Sequence, residues 1–323
     1  MTGRVELRSV SEDEAGLRLD RWFQRHFPAL SHGALQKLLR TGQVRLDGRR
    51  AEARDRVEPG QAIRLPPAVG EAPVVQPAAR PPLSERDAAA IQAMVIHKDD
   101  EVIVLNKPPG LAVQGGTGTG RHIDGLLDGL RFGLEERPRL VHRLDKDTSG
   151  LLLIARTGRA AKRLSESFRD RETEKLYWAV VVGVPPRAEG AIDLPLAKQP
   201  GPRGDREMVQ VDKVNGQKAL THFRVLDRAG KRAALLALWP RTGRTHQLRV
   251  HCAAVGCPIL GDGKYGGEEA LLAAVADARS LHLHARRLRL PHPSGRGELT
   301  VEAELPAHFR RTVAALGFTL PAH

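Results

Sequence analysis

The sequence predicts an α+β protein of two domains, a small basic α+β module followed by a larger domain built on a mixed, mainly antiparallel sheet. Three observations carry this expectation. The chain has 323 residues, about twice the usual domain size. Residues 66–84 hold six prolines and little periodicity, the composition of a linker. Beyond about residue 90, strand-like runs outnumber helical patterns and lack the strand–helix alternation of a parallel sheet. No internal repeat is visible.

Residues 1–14 are polar and are expected to form a flexible tail. Within 15–66, the segment 19–27 reads as an amphipathic helix ended by Pro28, and Ser31 caps a second helix that stops near Arg40-Thr41-Gly42. Alternating stretches at 43–46 and 62–65 read as short strands, with turns at Asp47-Gly48 and Pro59-Gly60. A linker is expected over 67–89 and the larger domain over 90–319. In the latter, 102–105, 151–155, 176–182, 233–239 and 281–290 read as strands, and 159–169, 245–255 and 306–316 as helices.

Composition narrows the function. Lys and Arg number 51 against 38 Asp and Glu, a formal net charge of +13, which points to a polyanionic partner, most simply nucleic acid. Of the 51, 40 are Arg, the residue suited to phosphate forks and base stacking. Positions 16–65 carry 11 basic and 5 acidic side chains, so roughly half the surplus lies in this short module. The longest mainly apolar run, 176–184, is too short for a bilayer, which takes ~20 residues, and the polar N-terminus lacks the apolar stretch of a secretory signal. Cys252 and Cys257 cannot make a disulfide framework or a four-ligand zinc site and read as buried thiols. A cytoplasmic protein is expected.

Several motifs fail. The glycine run 115–120 closes no G-x-G-x-x-G register, and neither it nor Gly263-Lys264-Tyr265 supplies the Lys-Ser/Thr of a P-loop. Asp147-Thr148-Ser149-Gly150 carries one residue too many for an aspartic-protease turn and has no second copy. His246 and His251 do not share a helix face. His282 and His284 share a strand face with His292 nearby, a pattern that alternation produces by chance, so no metal is expected.

Three segments are harder to explain by packing. In the first, His142-Arg143-Leu144-Asp145-Lys146-Asp147-Thr148-Ser149-Gly150 runs directly into the apolar strand 151–155, setting a carboxylate beside a low-dielectric interior. It reads either as a solvated acidic loop or as a base or nucleophile with a cationic partner. In the second, Arg241-Thr242-Gly243-Arg244-Thr245-His246-Gln247-Leu248-Arg249-Val250-His251 opens a helix with an apolar stripe at Leu248, Cys252 and Val255. There Arg249 flanks small residues and should meet a carboxylate, as a plain buried ion pair or as part of a site. In the third, Lys175-Leu176-Tyr177-Trp178-Ala179-Val180-Val181-Val182-Gly183, Tyr177 and Trp178 face opposite sides of a strand. Tyr177 is then either core packing or a surface on which a base can stack.

Together, in this order, the three segments resemble the signature of RluA-type pseudouridine synthases. Asn106-Lys107-Pro108-Pro109-Gly110 is similar to that family's opening motif, and 258–266, with Gly261-Asp262-Gly263-Lys264-Tyr265-Gly266, to its downstream one. The match spans roughly 95–293. Residues 15–66 resemble an S4 RNA-binding domain through Leu17-Arg18-Leu19-Asp20, Ser31, Gln36, Gly42-Gln43-Val44 and Asp47-Gly48. They depart from it at His32, where Arg is usual, and at Asp47, where Asn is. An S4 domain ahead of this catalytic domain is the arrangement of bacterial large-subunit rRNA synthases. Gly115-Gly116 and His122-Ile123-Asp124-Gly125 lean towards the RluC-like branch over the RluD-like one.

The resemblance implies a pseudouridine synthase fold with a central RNA-binding cleft and a catalytic set of Asp145, Tyr177 and Arg249. Asp145 would attack the target uridine so that its base detaches, rotates and rejoins through carbon 5. Whether it attacks ring C6 or the reaction passes through a glycal-like species stays open. Tyr177 would stack on the flipped base and assist proton removal, and Arg249 would be the charge partner of Asp145. Contacts to RNA would come from Arg143, Arg244 and Lys107, and in the S4-like module from Arg18, Arg21, Lys37, Arg40 and Arg45. The implied partner is 23S rRNA or a large-subunit assembly intermediate, and the implied reaction needs no cofactor; a monomer is expected. Two other classes compete. A non-catalytic RNA-binding assembly factor would have no use for an aspartate facing phosphates, and a glycosidase-like hydrolase would need a second acid that no motif supplies.

Overall fold

The computed structural model describes residues 5–70, 83–115, 120–170, 172–200, 207–273 and 275–321. They fall into two compact units, divided between Pro82 and Leu83.

The first unit begins with a strand. β1 (Glu6–Ser9) pairs antiparallel with a later strand, so the flexible tail expected over 1–14 is corrected from Glu6 onward. Its side chains look like a tail's because an edge strand needs only backbone partners, and most of them face solvent. Farther along, Glu14 is buried and accepts from the Trp22 indole N–H at 3.0 Å and from His26, which ties the N-terminal segment to the first helix. α1 (Leu19–His26) and α2 (His32–Arg40) follow, the second capped by Ser31 Oγ, which accepts from Ala34 N–H. β2 (Arg45–Leu46), β3 (Arg49–Arg50) and β4 (Ala62–Leu65) complete a four-stranded sheet in the order β1-β4-β2-β3. Leu19, Trp22, Phe23, Leu35, Leu39, Val57, Ile63 and Leu65 form its core.

Most of the linker expected over 67–89 lies outside the described residues. Its described ends are helical: α3 (Pro67–Gly70) and α4 (Glu85–Gln92), the latter capped by Ser84 and anchored by the fully buried Ile91. The Ser84–Asp87 capping pair was masked in the sequence by the prolines beside it.

The second unit follows in chain order. β5 (Val95–Lys98) and β6 (Val102–Lys107) precede the single-turn helix α5 (Ile123–Leu126) and β7 (Arg139–Leu140). β8 (Ser149–Ala155), α6 (Gly158–Arg169), β9 (Glu174–Val182) and β10 (Glu189–Asp193) come next. Then β11 (Leu196–Pro200) and β12 (Glu207–Val211) pair as a separate ribbon, before β13 (Leu220–Ala229) and β14 (Ala233–Pro240). α7 (Gln247–Ala254), β15 (Leu283–Pro291), β16 (Glu298–Glu302) and α8 (Ala307–Leu316) end the series.

Among the described residues the main sheet runs β10-β13-β14-β9-β15-β8-β6-β5, with β16 added to β15 and β7 to β8. Each pairing is antiparallel except one: β8 and β15 run parallel, with Ser149 opposite His284 and Gly150 opposite Ala285. This seam joins two half-sheets with separate cores. One is built on β6, β8, α5 and α6. The other is split between the faces covered by α7 and α8. Every residue of β8 is buried, which explains its continuous apolar run. At the seam, Gly150 has φ +106°, and a Cβ there would lie 2.3 Å from the Ala285 carbonyl oxygen. No other residue lets the strands meet so closely. The loop that carries Asp145 therefore ends at a junction fixed by a glycine. Among the described residues no helix is long and apolar enough to cross a membrane.

Candidate active site

The loop between β7 and β8 is held at both ends. At its start, His142 stacks on Phe168 with ring centroids 4.4 Å apart, and its Nε2 accepts from Leu153 N–H at 2.8 Å. Burial, helped by the Lys175 charge, pushes its pKa down to about 3, so the imidazole stays a neutral acceptor. At the loop's end, Ser149 Oγ lies 2.9 Å from His284 Nδ1 across the parallel seam. Between them, Thr148 N–H donates to the Asp145 carbonyl and closes a turn at 3.2 Å.

Lys107, at the end of β6, braces this loop from below. Its side chain is fully buried, and Nζ donates to the carbonyls of Pro108, Leu111 and Lys146 at 2.8, 2.9 and 2.9 Å. The expected RNA contact at Lys107 is thereby corrected, since its three donors are used on main-chain oxygens and it has no exposed surface. Burial lowers its pKa to about 8 against the opposing pull of Asp147 and Asp145.

The opposite side of the site is built by α7. His246, just before the helix, takes a left-handed conformation (φ 52°, ψ 20°). Gln247 secures the approach: its Oε1 accepts from Thr242 Oγ1 and Arg244 N–H, while its Nε2 donates to the Leu220 carbonyl and Thr221 Oγ1. Sequence reasoning gave Gln247 no role, because its four partners come from two segments more than twenty residues apart. Two residues on, Arg249 is buried and forks onto Asp262, with Nε to Oδ2 at 2.8 Å and Nη2 to Oδ1 at 2.7 Å. Its remaining Nη1 lies 3.9 Å from Asp145 Oδ2.

The carboxylate that Arg249 was expected to meet thus exists, but Asp262 is the direct partner and Asp145 the more distant one. Burial alone would pull the Arg249 pKa down, yet the bond and charge of Asp262 with the charge of Asp145 hold it up. Asp262 Oδ1 also accepts from Lys264 and Tyr265 N–H, so one carboxylate orders both the turn and the guanidinium. The expected apolar stripe of α7 holds at Leu248 and Cys252, whereas Val255 falls just beyond the helix and is exposed.

Between these sides lies a cleft of about 440 Å³ lined by Asp145, Tyr177, Arg143, Arg244 and Arg249 among others. Arg143 donates to Thr245 Oγ1 and Arg244 to the Lys218 carbonyl, which aims both along the cleft edge. Arg169, Lys175 and Arg241, not singled out from sequence, line it too. Asp145 is the only carboxylate among the described lining residues. Its side chain is 26% exposed, open enough to be reached by a ligand.

Tyr177, on β9, is flanked in register by Ala285 and Leu238 and packs partly against the cores on both sides of the seam. Trp178 faces the other way, buried beneath the Arg286 guanidinium at 5.0 Å. Burial, then the nearby Asp145 charge, raises the Tyr177 pKa, so its hydroxyl stays protonated.

In the first unit, Arg18, Lys37 and Arg40 line a shallow groove of about 840 Å³ together with Arg50 and Arg54. Arg18 also pairs with Asp20 at 2.6 Å. Arg21 and Arg45 are exposed but lie outside that lining. Arg45 bonds the Gly42 and Gly48 carbonyls, and Arg21 bonds Gln24.

The histidines considered for metal have protein partners. His282 bonds Thr312 and the Ser280 carbonyl, and His284 bonds Ser149 and the Ala303 carbonyl. His292 bonds Asp99.

Comparisons with known proteins show what the chain is similar to. The sequence pattern of the RNA pseudouridylate synthase family matches residues 101–254. A ribosomal large subunit pseudouridine synthase C of Vibrio cholerae is 34% identical over 97% of this chain and 97% of its own length. The protein of the same description from Rickettsia conorii is 36% identical over 91% of this chain and 95% of its own. Among solved structures, human RNA pseudouridylate synthase domain containing 4 superposes with a TM-score of 0.61 at 33% identity, covering 72% of this chain and 97% of that one.

Proposed function

Since the chain belongs to the RluA-type RNA pseudouridine synthases, which are isomerases, we propose that it converts specific uridines of 23S rRNA to pseudouridine with Asp145 as the attacking group. The observation that carries this reading is the cleft itself: one carboxylate, Asp145, among six cationic side chains and the aromatic rings of Phe168 and Tyr177. A glycosidase needs two acids flanking its bond, and an RNA-binding factor gains nothing from a carboxylate in a phosphate-binding groove.

The reaction is redox-neutral. The N1–C1′ bond of uridine breaks, a C5–C1′ bond forms, C5 loses a proton and N1 gains one. The target base must first leave its stack, at a cost of a few kcal/mol, which contacts from Arg143, Arg244 and their neighbours to phosphates can offset. Tyr177 offers the ring on which the extruded base stacks. With its hydroxyl held protonated it is a weak base, so stacking is the role this environment favours. Arg249, steadied by Asp262, faces Asp145 with its remaining N–H and helps orient it.

Residues 15–66 act in this reading as an S4 RNA-binding module, with the groove of Arg18, Lys37 and Arg40 as its RNA face, and 90–319 as the catalytic domain. Relatives described as large-subunit synthases C favour an RluC-like set of target sites. The protein works as a cytoplasmic monomer on rRNA or an assembly intermediate.

The test is pseudouridine mapping of 23S rRNA from cells lacking the gene, complemented with wild type or with Asp145→Asn. Particular pseudouridines should vanish on deletion and return with wild type alone. Unchanged 23S rRNA would refute the proposed substrate, and full rescue by Asp145→Asn would refute the proposed nucleophile.

A further inference from the structure

His246 and Arg249 approach different oxygens of the Asp145 carboxylate. Arg249 Nη1 lies 3.9 Å from Oδ2, and His246 Nε2 lies 3.8 Å from Oδ1. What His246 can offer depends on where its ring proton sits, and the surroundings decide that. Its Nδ1 is 2.6 Å from the Tyr265 hydroxyl. That hydroxyl oxygen already accepts from Val209 N–H, on β12, at 3.3 Å. That hydroxyl keeps its own proton to donate, and Nδ1 is the acceptor in the tautomer that sets a donor, not a lone pair, before the Asp145 carboxylate. The ring N–H then resides on Nε2 and faces Asp145. The alternative tautomer would turn a lone pair of Nε2 towards a carboxylate, which is repulsive.

We propose that His246 is a positioning residue for Asp145, holding Oδ1 through an Nε2–H whose tautomer is set by Tyr265. This rests on Asp145 being the nucleophile and assigns two further residues to the same site. The ring is held in place for the task. Its backbone takes the left-handed conformation, and its ring plane meets Tyr265 edge-on at 71° with centroids 5.5 Å apart. Tyr265 is itself fixed by Asp262 through its N–H and lies beneath the Arg249 guanidinium at 5.1 Å. Asp262 thus aligns both groups that face Asp145, one on each oxygen. Burial, with the Arg249 and Lys264 charges and against the pull of Asp145, lowers the His246 pKa, in keeping with a neutral donor. A neutral donor orients the carboxylate, and the 3.8 Å separation shortens to a hydrogen bond when substrate closes the cleft, as catalytic contacts commonly do.

The test has a spectroscopic arm and a kinetic arm. Long-range ¹H–¹⁵N correlation spectra of ¹⁵N-histidine-labelled protein read the tautomer, the His246→Gln difference identifying the signal. Wild type should show protonation at Nε2 alone, and Tyr265→Phe should lose that preference. In single-turnover release of tritium from [5-³H]uridine-labelled RNA of a gene-deleted strain, His246→Met and Tyr265→Phe should be slowed about tenfold at unchanged RNA affinity. His246→Gln, which keeps a donor near the Nε2 position, should stay within about threefold of wild type. A wild-type imidazole protonated at Nδ1, or equal rates for the Gln and Met variants, would overturn the proposal. Asp145→Asn is run beside them. If it is inactive while Gln and Met behave alike, only the role of His246 falls. If it turns over normally, Asp145 is not the nucleophile and both readings fall.

Discussion

The two walls of the cleft satisfy their buried cations differently, one with main-chain carbonyls and one with a carboxylate. On the β8 side, Lys107 spends its charge on three main-chain carbonyls, and the neutral rings of His142 and His284 bond Leu153 N–H and Ser149 Oγ. On the α7 side, a full ion pair, Arg249 with Asp262, is buried and forked. Asp145 sits between, its backbone set by the first wall and its carboxylate faced by the second. The difference teaches how each wall fails. A wall held by many separate hydrogen bonds weakens in proportion to the bonds removed, whereas a wall made of one ion pair fails when either partner is left alone.

The largest expected effect follows from that asymmetry. Asp262→Ala leaves the Arg249 charge buried without its forked partner and should cost about 3–5 kcal/mol in urea denaturation. Arg249→Met added to it should restore part of that stability while activity stays lost. A double variant no more stable than the single one would show that the pair is not the source of the loss.

On the β8 wall, acid should act where mutation is not needed. Burial lowers the His284 pKa to about 4, so its folded-state value lies below the unfolded 6.5. The stabilisation is therefore complete above about pH 6.5 and is lost as pH falls from there towards 4, on the order of 3 kcal/mol for this residue. His284→Asn keeps an acceptor for Ser149 but does not titrate, so its urea midpoint should decline less steeply between pH 7 and 4. An equal slope would place the acid sensitivity elsewhere.

The smallest effect is expected at Lys107. Lys107→Met removes the donor from three carbonyls and should cost about 2–3 kcal/mol of stability and slow turnover through the loop. RNA affinity measured by filter binding across a salt series should keep its slope, because no phosphate contact is lost. A slope reduced by about one would restore Lys107 to the RNA surface.

The elements legible in the sequence were those specified by near neighbours. Ser31 capped α2 as expected, and the five apolar residues 151–155 formed the core of β8. The segments holding Asp145, Tyr177 and Arg249 did line one cleft, which the family resemblance had implied and the residues alone had left open. Strands with polar outer faces were not legible: β1, β10, β13 and β16 alternate weakly or lie at edges, where backbone pairing tolerates almost any side chain.

What the sequence determined by itself was local conformation, the surplus of positive charge and the set of chemically competent side chains. Only the tertiary structure decided their partners. It turned Lys107 inward onto carbonyls of two loops, gave Arg249 to Asp262 before Asp145, and brought Ser149 to His284 across 135 positions of chain. A cap or an apolar run is fixed within a few residues, because its energy comes from neighbours three or four positions away. The state of a buried charge is fixed by whatever closes around it, and those groups meet only when the sheet is complete.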